Sequence, residues 1–179
     1  EARTQLKMIM LGTHYKSKRS DANRPDDPES RIKAKAQVDE TVKIIKELKV
    51  QYPKVPITLS GDFNGSPNTE PEFVALQQVT KMEDAQHFDG DNESPEQTAT
   101  HFYFPRDLPM EASELDMHLL PPELRPYVID AQTQNYFDNT GLTIPNPGTY
   151  EERRKLQPSD HKAVKLRLNI NFFKLTDPQ

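Results

Sequence analysis

A chain of 179 residues has the length of one ordinary domain, and 34% hydrophobic with 28% charged residues is a polar but globular balance that excludes a disordered chain. A net charge of −5 argues against a basic nucleic-acid clamp over the whole surface, yet allows a local groove that meets phosphate through a metal and a few Lys or Arg side chains. Cysteine is absent, which excludes a disulfide framework, thiolate chemistry and cysteine-ligated zinc.

In chain order, Leu6 to Leu11 is an apolar run dense enough for a strand buried on both faces, closed by Gly12. Thr13-His14-Tyr15-Lys16-Ser17-Lys18 follows, and the polar stretch from Arg19 to Ser30, with Pro25 and Pro28, reads as an exposed loop. An amphipathic helix is predicted from about Ile32 to Val50, with Ala34, Val38, Val42, Ile45 and Leu48 on one stripe, ending at Tyr52-Pro53. Val55 to Ser60 is the next strand, with Pro56 near its start. A short helix is expected from about Pro71 to Val79, capped by Asn68 or Thr69, with Phe73 and Leu76 buried.

Lys81 to Glu96 is read as an acidic, solvated loop that lacks the Asp-x-Asp-x-Asp-Gly pattern of a calcium loop. Thr98 to Phe104 and Leu115 to Leu120 are predicted strands, and the Pro- and Asn-rich stretch from about Asn135 to Pro158 is expected to be irregular. Lys162 to Ile170 alternates, with Val164, Leu166, Leu168 and Ile170 on one side, as a closing strand would. No run reaches the length that spans a bilayer, so a soluble chain is expected, and no signal peptide is visible. Alternating strands and helices indicate an α/β or layered α+β class.

Chemistry concentrates at strand ends. In Gly61-Asp62-Phe63-Asn64, residues two apart in extended chain share a face, so Asp62 and Asn64 point together while Phe63 packs behind them. A carboxylate there can orient or deprotonate water, and a carboxamide can donate to phosphate or bind a metal through its carbonyl; an ordinary Asx turn is the structural alternative. Asp160-His161 precedes the closing strand, where an Asp can bind a hard cation while the imidazole touches phosphate, or where the pair simply makes a turn. His14 can donate a proton to a leaving oxygen, and Lys16 and Lys18 can attract an anion. Asp116 opens an apolar strand and can orient a catalytic imidazole. His87, His101 and His118 fit no metal-binding spacing and are read as structural.

Together these motifs resemble the endonuclease/exonuclease/phosphatase (DNase I-like) superfamily, from Leu6 to about Leu168. Leu11-Gly12-Thr13-His14-Tyr15-Lys16-Ser17-Lys18 is similar to its Thr-His-(Leu/Phe)-Lys-Ser-Lys strand, and Arg31 with Gln37 to the helix that follows. Ser60-Gly61-Asp62-Phe63-Asn64 matches its Gly-Asp-Phe-Asn signature; Leu115-Asp116-Met117-His118-Leu119-Leu120 is similar to its Ile-Asp-Tyr-Ile-Leu segment, with the aromatic replaced; and Ser159-Asp160-His161-Lys162-Ala163-Val164 matches its terminal Ser-Asp-His segment.

The resemblance implies a layered sandwich of two mainly antiparallel β-sheets flanked by helices, and divalent-metal-dependent hydrolysis of a phosphoester by an activated water. It implies that His14 acts on the leaving group or phosphate, Asp62 activates the water, and Asn64 binds phosphate and orients Asp62. His161 would contact a phosphate oxygen and be held by Asp116, while Asp160, with Asn64, would bind Mg²⁺ or Mn²⁺. Lys16 and Lys18 would bind substrate.

A phosphodiesterase or nuclease acting on DNA or RNA is the favoured reading, because Thr-His-Tyr-Lys-Ser-Lys is most similar to bacterial extracellular nucleases. A secreted or periplasmic location would then suit a bacterial source. The alternatives are a phosphatase or phospholipase-type hydrolase of inositol phosphate or sphingomyelin-like substrates, with Tyr103 to Arg106 in a substrate wall, and a non-catalytic binding scaffold. The family's opening Asn and its main metal-binding Glu have no counterpart, so residues 1–179 are expected to form one domain lacking its N-terminal half, with an exposed inner sheet face and edge, and to be inactive or bind metal poorly alone.

Overall fold

The structure is a computed structural model describing residues 8–17, 28–88, 94–105 and 109–169. In chain order its elements are strand β1 (Ile9–His14), helix α1 (Glu29–Gln51), strand β2 (Ile57–Asp62), a 3₁₀ turn (Pro71–Phe73) leading into helix α2 (Val74–Thr80), and strand β3 (Glu83–Asp84). A 3₁₀ turn (Ala85–His87), helix α3 (Pro95–Thr98) and strands β4 (His101–Tyr103), β5 (Glu111–Ser113) and β6 (Asp116–Leu120) follow. A 3₁₀ segment (Pro122–Tyr127), strand β7 (Val128–Thr133), helix α4 (Tyr150–Leu156) and strand β8 (Val164–Leu168) complete the described residues.

The strands form a four-stranded sheet in the order β1-β2-β6-β3 and two two-stranded sheets, β4-β5 and β7-β8. Among the described residues, only β1 and β2 run parallel and every other strand pairing is antiparallel. This is the expected α+β arrangement of mainly antiparallel sheets flanked by helices.

Strand alternation gives the central sheet two distinct faces. Ile9, Leu11, Ile57, Leu59, Met117 and Leu119 pack with Val38, Val42 and Ile45 of α1 and with Phe63, Phe73 and Leu76. Those that are fully buried, such as Leu59, Ile45 and Phe73, each contribute about 1.5–3 kcal/mol. On the other face, Leu120 joins Ala85, Phe88 and Leu124, against Val128, Ala131, Leu166 and Leu168 of the β7-β8 pair. His118 ties the layers together: its Nδ1 meets Ser60 Oγ at 2.8 Å and its Nε2 meets the Val164 carbonyl at 3.1 Å. His118 is therefore structural, as expected.

Several boundaries move. β1 runs to His14 instead of stopping at Leu11, because the parallel ladder with β2 continues through Gly12 as far as His14↔Asp62. Residues 1–7 lie outside the described residues. β2 starts at Ile57, since Pro56 has no N–H to donate and contributes only its carbonyl, which accepts from Ile9 N at 2.9 Å. α1 begins at Glu29, a turn before the apolar stripe, supported by the Lys33–Glu29 ion pair that periodicity cannot register.

Neither Asn68 nor Thr69 caps α2. The N-cap of the preceding 3₁₀ turn is Glu70, without a side-chain cap, and Asn68 Oδ1 instead accepts from Gln77 Nε2 at 3.3 Å. The stretch read as a solvated acidic loop contains β3, a 3₁₀ turn and α3, and its Asp84 is only 2% exposed. β5, the 3₁₀ segment Pro122–Tyr127, β7 and α4 also lie outside the sequence reading. β7 alternates only weakly, and α4 lies in the stretch expected to be irregular. α4 buries no residue and so carries no apolar stripe; its signal is the capping box of Thr149 and Glu152. Of the closing strand, Val164–Leu168 is formed, while Ile170 lies outside the described residues.

Candidate active site

The pairing registers bring three of the expected site residues into one row. His14 is the Cα partner of Asp62, and Asp62 is the Cα partner of Asp116. β1 and β2 run parallel, so their C-terminal ends coincide, and antiparallel β6 starts where they finish. All three residues fall on the alternation class of Ser60 and His118, opposite the α1 face.

Gly61 makes this row possible. Its φ is +141°, and a Cβ there would lie 2.0 Å from the Thr13 carbonyl oxygen. Any side chain would force β1 and β2 apart just before His14 and Asp62. Phe63 turns the other way, 1% exposed, in edge contact with Tyr15 at a centroid distance of 5.6 Å.

Asp62 is held from two sides by one neighbour. The Asn64 backbone N–H donates to Oδ1 at 2.8 Å and the Asn64 Nδ2 donates to Oδ2 at 2.9 Å. This is an Asx turn in form, with Asn64 in the left-handed region at φ +48°, which Asn tolerates. The Asn64 Nδ2 also donates to the Tyr15 carbonyl at 3.0 Å. With both amide hydrogens directed at acceptors, Oδ1 is the atom Asn64 can offer a cation.

His14 Nε2 stands 3.6 Å from Asp62 Oδ2, on a largely exposed ring. Burial raises the Asp62 carboxyl above the ordinary value; the Asn64 hydrogen bond opposes this, the Asp116 charge adds to it, and His161 and His14 oppose it. The outcome is a carboxylate more basic than an exposed one.

His161 reaches the row from the segment before β8. Its Nδ1 lies 2.7 Å from Asp116 Oδ2, its backbone N–H donates to Ser159 Oγ at 3.1 Å, and its carbonyl accepts from the Tyr136 hydroxyl. The Asp116 hydrogen bond raises the imidazole's pKa; burial opposes it, and the charges of Asp116, Asp62 and Asp160 add to it. Asp160 lies beside it, with Oδ2 3.3 Å from Arg153 Nη1 of α4. Burial works against the Asp160 charge, but its own backbone N–H and the charges of His161, Arg153 and His101 outweigh this and hold the carboxyl below its ordinary value.

His14, Lys16, Asp62, Asn64, Asp160 and His161 line one open cleft of about 720 Å³. Asp116 lies behind His161 and Asp62. Lys18 and Arg106 lie outside the described residues. Gln37 has a positioning role, its Oε1 accepting from the Lys16 backbone N–H at 2.7 Å, while Arg31 pairs with Glu72 at 3.3 Å. Tyr103 lines the cleft, and Phe104 packs edge-on against Tyr150.

His101, expected to be structural, is buried at the cleft wall, bridges backbone-to-backbone with His161, and its ring sits 4.8 Å from the His161 ring. Arg153 was missed because α4 was missed. His101 lies far from His161 in sequence, so local spacing holds no signal for it.

Two groups of side chains around this cleft have ligand atoms within 4.8 Å of one another: Asp62, Asp116 and His161, and His101, Asp160 and His161. Both groups mix carboxylate and imidazole ligands, and Asn64 lines the same cleft as Asp160.

No family model matches the chain, and no curated protein matches it in sequence. Solved structures do match it. The 3′-5′ exonuclease NExo from Neisseria meningitidis is 15% identical with a TM-score of 0.57, over 89% of this chain and 60% of that one. The catalytic domain of Xenopus laevis APE2 is 12% identical with a TM-score of 0.57, over 89% of this chain and 49% of that one. An endonuclease/exonuclease/phosphatase family protein from Bacteroides thetaiotaomicron is 18% identical with a TM-score of 0.51, over 93% and 50%. The chain thus shares the DNase I-like α+β fold of these structures and spans roughly half the length of the structures it matches. No helix among the described residues is long and apolar enough to cross a membrane.

Proposed function

We propose that this chain carries the water-activating and phosphate-holding part of a divalent-metal-dependent phosphodiesterase acting on nucleic acid. The observation that carries the proposal is the row of His14, Asp62 and Asp116, closed by the 2.7 Å contact between Asp116 and His161. Asp62, oriented by Asn64 and made more basic by burial, takes a proton from the attacking water. His161, fixed by Asp116, which favours its cationic form, donates from its other ring nitrogen to a non-bridging phosphate oxygen. His14 lines the same cleft, placed to protonate the leaving oxygen, and Lys16 adds positive charge there for the anionic substrate.

Asp160 and the Asn64 carbonyl oxygen are the residues that would hold Mg²⁺ or Mn²⁺, which when bound neutralises charge at the reacting phosphate. Asn64 then serves as metal ligand and Asp62 positioner more than as phosphate donor, since both its amide hydrogens are committed. Two protein ligands make a weak site. A further carboxylate from an N-terminal segment of the same domain would complete it; the apolar cleft of about 350 Å³ between Met8, Met10, Leu120 and Leu166 is consistent with such a segment packing nearby. A nuclease is favoured because NExo is an exonuclease of the same fold. A secreted or periplasmic setting fits that reading.

The test is a substrate panel of plasmid DNA, RNA, sphingomyelin and inositol phosphates with Mg²⁺ or Mn²⁺, using the protein with its natural flanking sequence. Metal-dependent cleavage of DNA or RNA supports the proposal. Turnover confined to sphingomyelin or inositol phosphates would replace the nuclease reading by the phosphatase or phospholipase one, and no turnover at all would favour a binding scaffold.

A further inference from the structure

A second cluster lies on the far side of the β5-β6 connection and takes no part in the chemistry above. Asp84 of β3, His87 of the following 3₁₀ turn and Glu114 offer ligand atoms within 4.8 Å of one another, at the wall of a separate pocket of about 270 Å³. Asp84 is 2% exposed; its Oδ1 accepts from the Gln86 backbone N–H at 3.1 Å, but its Oδ2 is fully enclosed and accepts no hydrogen bond. A buried carboxylate oxygen without a donor is costly, and here a second carboxylate faces it instead of a cation.

Glu114 is already oriented as a ligand would be. Gln86 Nε2 donates to its Oε1 at 2.9 Å, while its Oε2 lies 3.1 Å from His87 Nε2. Gln86 is in turn fixed by the Thr133 hydroxyl, which donates to its Oε1 at 2.9 Å. An amide holding a carboxylate that faces another carboxylate and an imidazole is the usual outer support of a metal ligand set.

We propose that Asp84, His87 and Glu114 bind a divalent transition cation such as Mn²⁺ or Zn²⁺, at a site separate from the cleft and independent of the function assigned to it. Two carboxylates and one imidazole favour such an ion over Mg²⁺, which takes oxygen ligands and binds imidazole poorly. The ion supplies the positive charge that Asp84 lacks, and water from the pocket completes its shell. Burial, and after it the Glu114 charge, push the Asp84 carboxyl up to about 8, the cost that a cation would relieve. Glu114 stands two residues before Asp116, so a bound ion would also tie β3 to the connection that leads into the catalytic row.

Calorimetric titration of Mn²⁺ and Zn²⁺ into the full chain carrying Asp62→Asn and Asp160→Asn, which weakens the cleft, reads this site. One ion per chain is expected. Adding Glu114→Gln, which keeps the side-chain shape, should weaken binding at least about tenfold. His87→Asn, at a half-exposed ring whose loss leaves the core intact, should weaken it too and remove the nitrogen coupling seen by pulsed electron paramagnetic resonance with Mn²⁺. No binding to the background variant, or binding unchanged by both added substitutions, overturns the proposal; Asp84 and Glu114 then share a proton instead.

Discussion

Replacing Asp116 by Asn keeps the shape of the site while removing the charge that holds His161. In the wild-type structure the two groups meet at 2.7 Å, each less than a third exposed. A hydrogen bond to a charged partner contributes about 1.5–3 kcal/mol, so turnover should fall about 10- to 150-fold if the imidazolium binds phosphate in the transition state. The sign of the stability effect follows from His161 being raised above its ordinary value of 6.5. Such a group stabilises the fold fully below the unfolded value, and that contribution is lost as pH rises through the higher folded value. The variant should therefore be less stable than wild type below about pH 6.5 and approach it at alkaline pH, with the His161 midpoint moved down. Thermal melts across pH and proton NMR titration of His161 measure both. An unchanged His161 midpoint in Asp116→Asn would refute the pairing on which the roles rest.

The pH profile gives a second check, since Asp62 must be ionised to act. The activity of the protein with its natural flanks should rise with pH through an Asp62 value above 3.8, and Asp116→Asn should move that limb to lower pH by removing a like charge. Gly61→Ala should cost about 3 kcal/mol or more in chemical denaturation, because its Cβ would meet the Thr13 carbonyl at 2.0 Å; a loss under about 1 kcal/mol would mean the strands yield there. Phe63→Ala, at a side chain 1% exposed, should cost about 3–5 kcal/mol in the same assay. Arg153→Ala should leave the fold standing and change the affinity for Mg²⁺ by isothermal titration, since Asp160 loses the cation 3.3 Å away; unchanged affinity would separate Asp160 from the metal.

The site was legible where chemistry sits at strand ends. Gly61-Asp62-Phe63-Asn64 and Ser159-Asp160-His161 are local patterns, and strand alternation alone places Asp62 on one face with Phe63 behind it. What alternation cannot supply is register. That His14, Asp62 and Asp116 share one row depends on how far the β1-β2 ladder continues past Gly12, a property of two distant segments. His101 shows the same limit, because its place beside His161 follows from long-range pairing. α4 escaped for a different reason: an exposed helix has no apolar stripe, and only its capping box marks it. Asp84 was misjudged because a carboxylate in an acidic stretch is usually solvated, whereas here β6 and the 3₁₀ turn close over it.

The most direct test of the account is cleavage of a labelled DNA phosphodiester by the protein with its natural flanking sequence, compared with Asp62→Asn. The account predicts cleavage that stops on chelation, returns with Mg²⁺ or Mn²⁺, and falls about 10²- to 10⁴-fold in the variant while its melting curve stays cooperative. Cleavage that persists in chelator, or that proceeds at the wild-type rate without the Asp62 carboxylate, would contradict it.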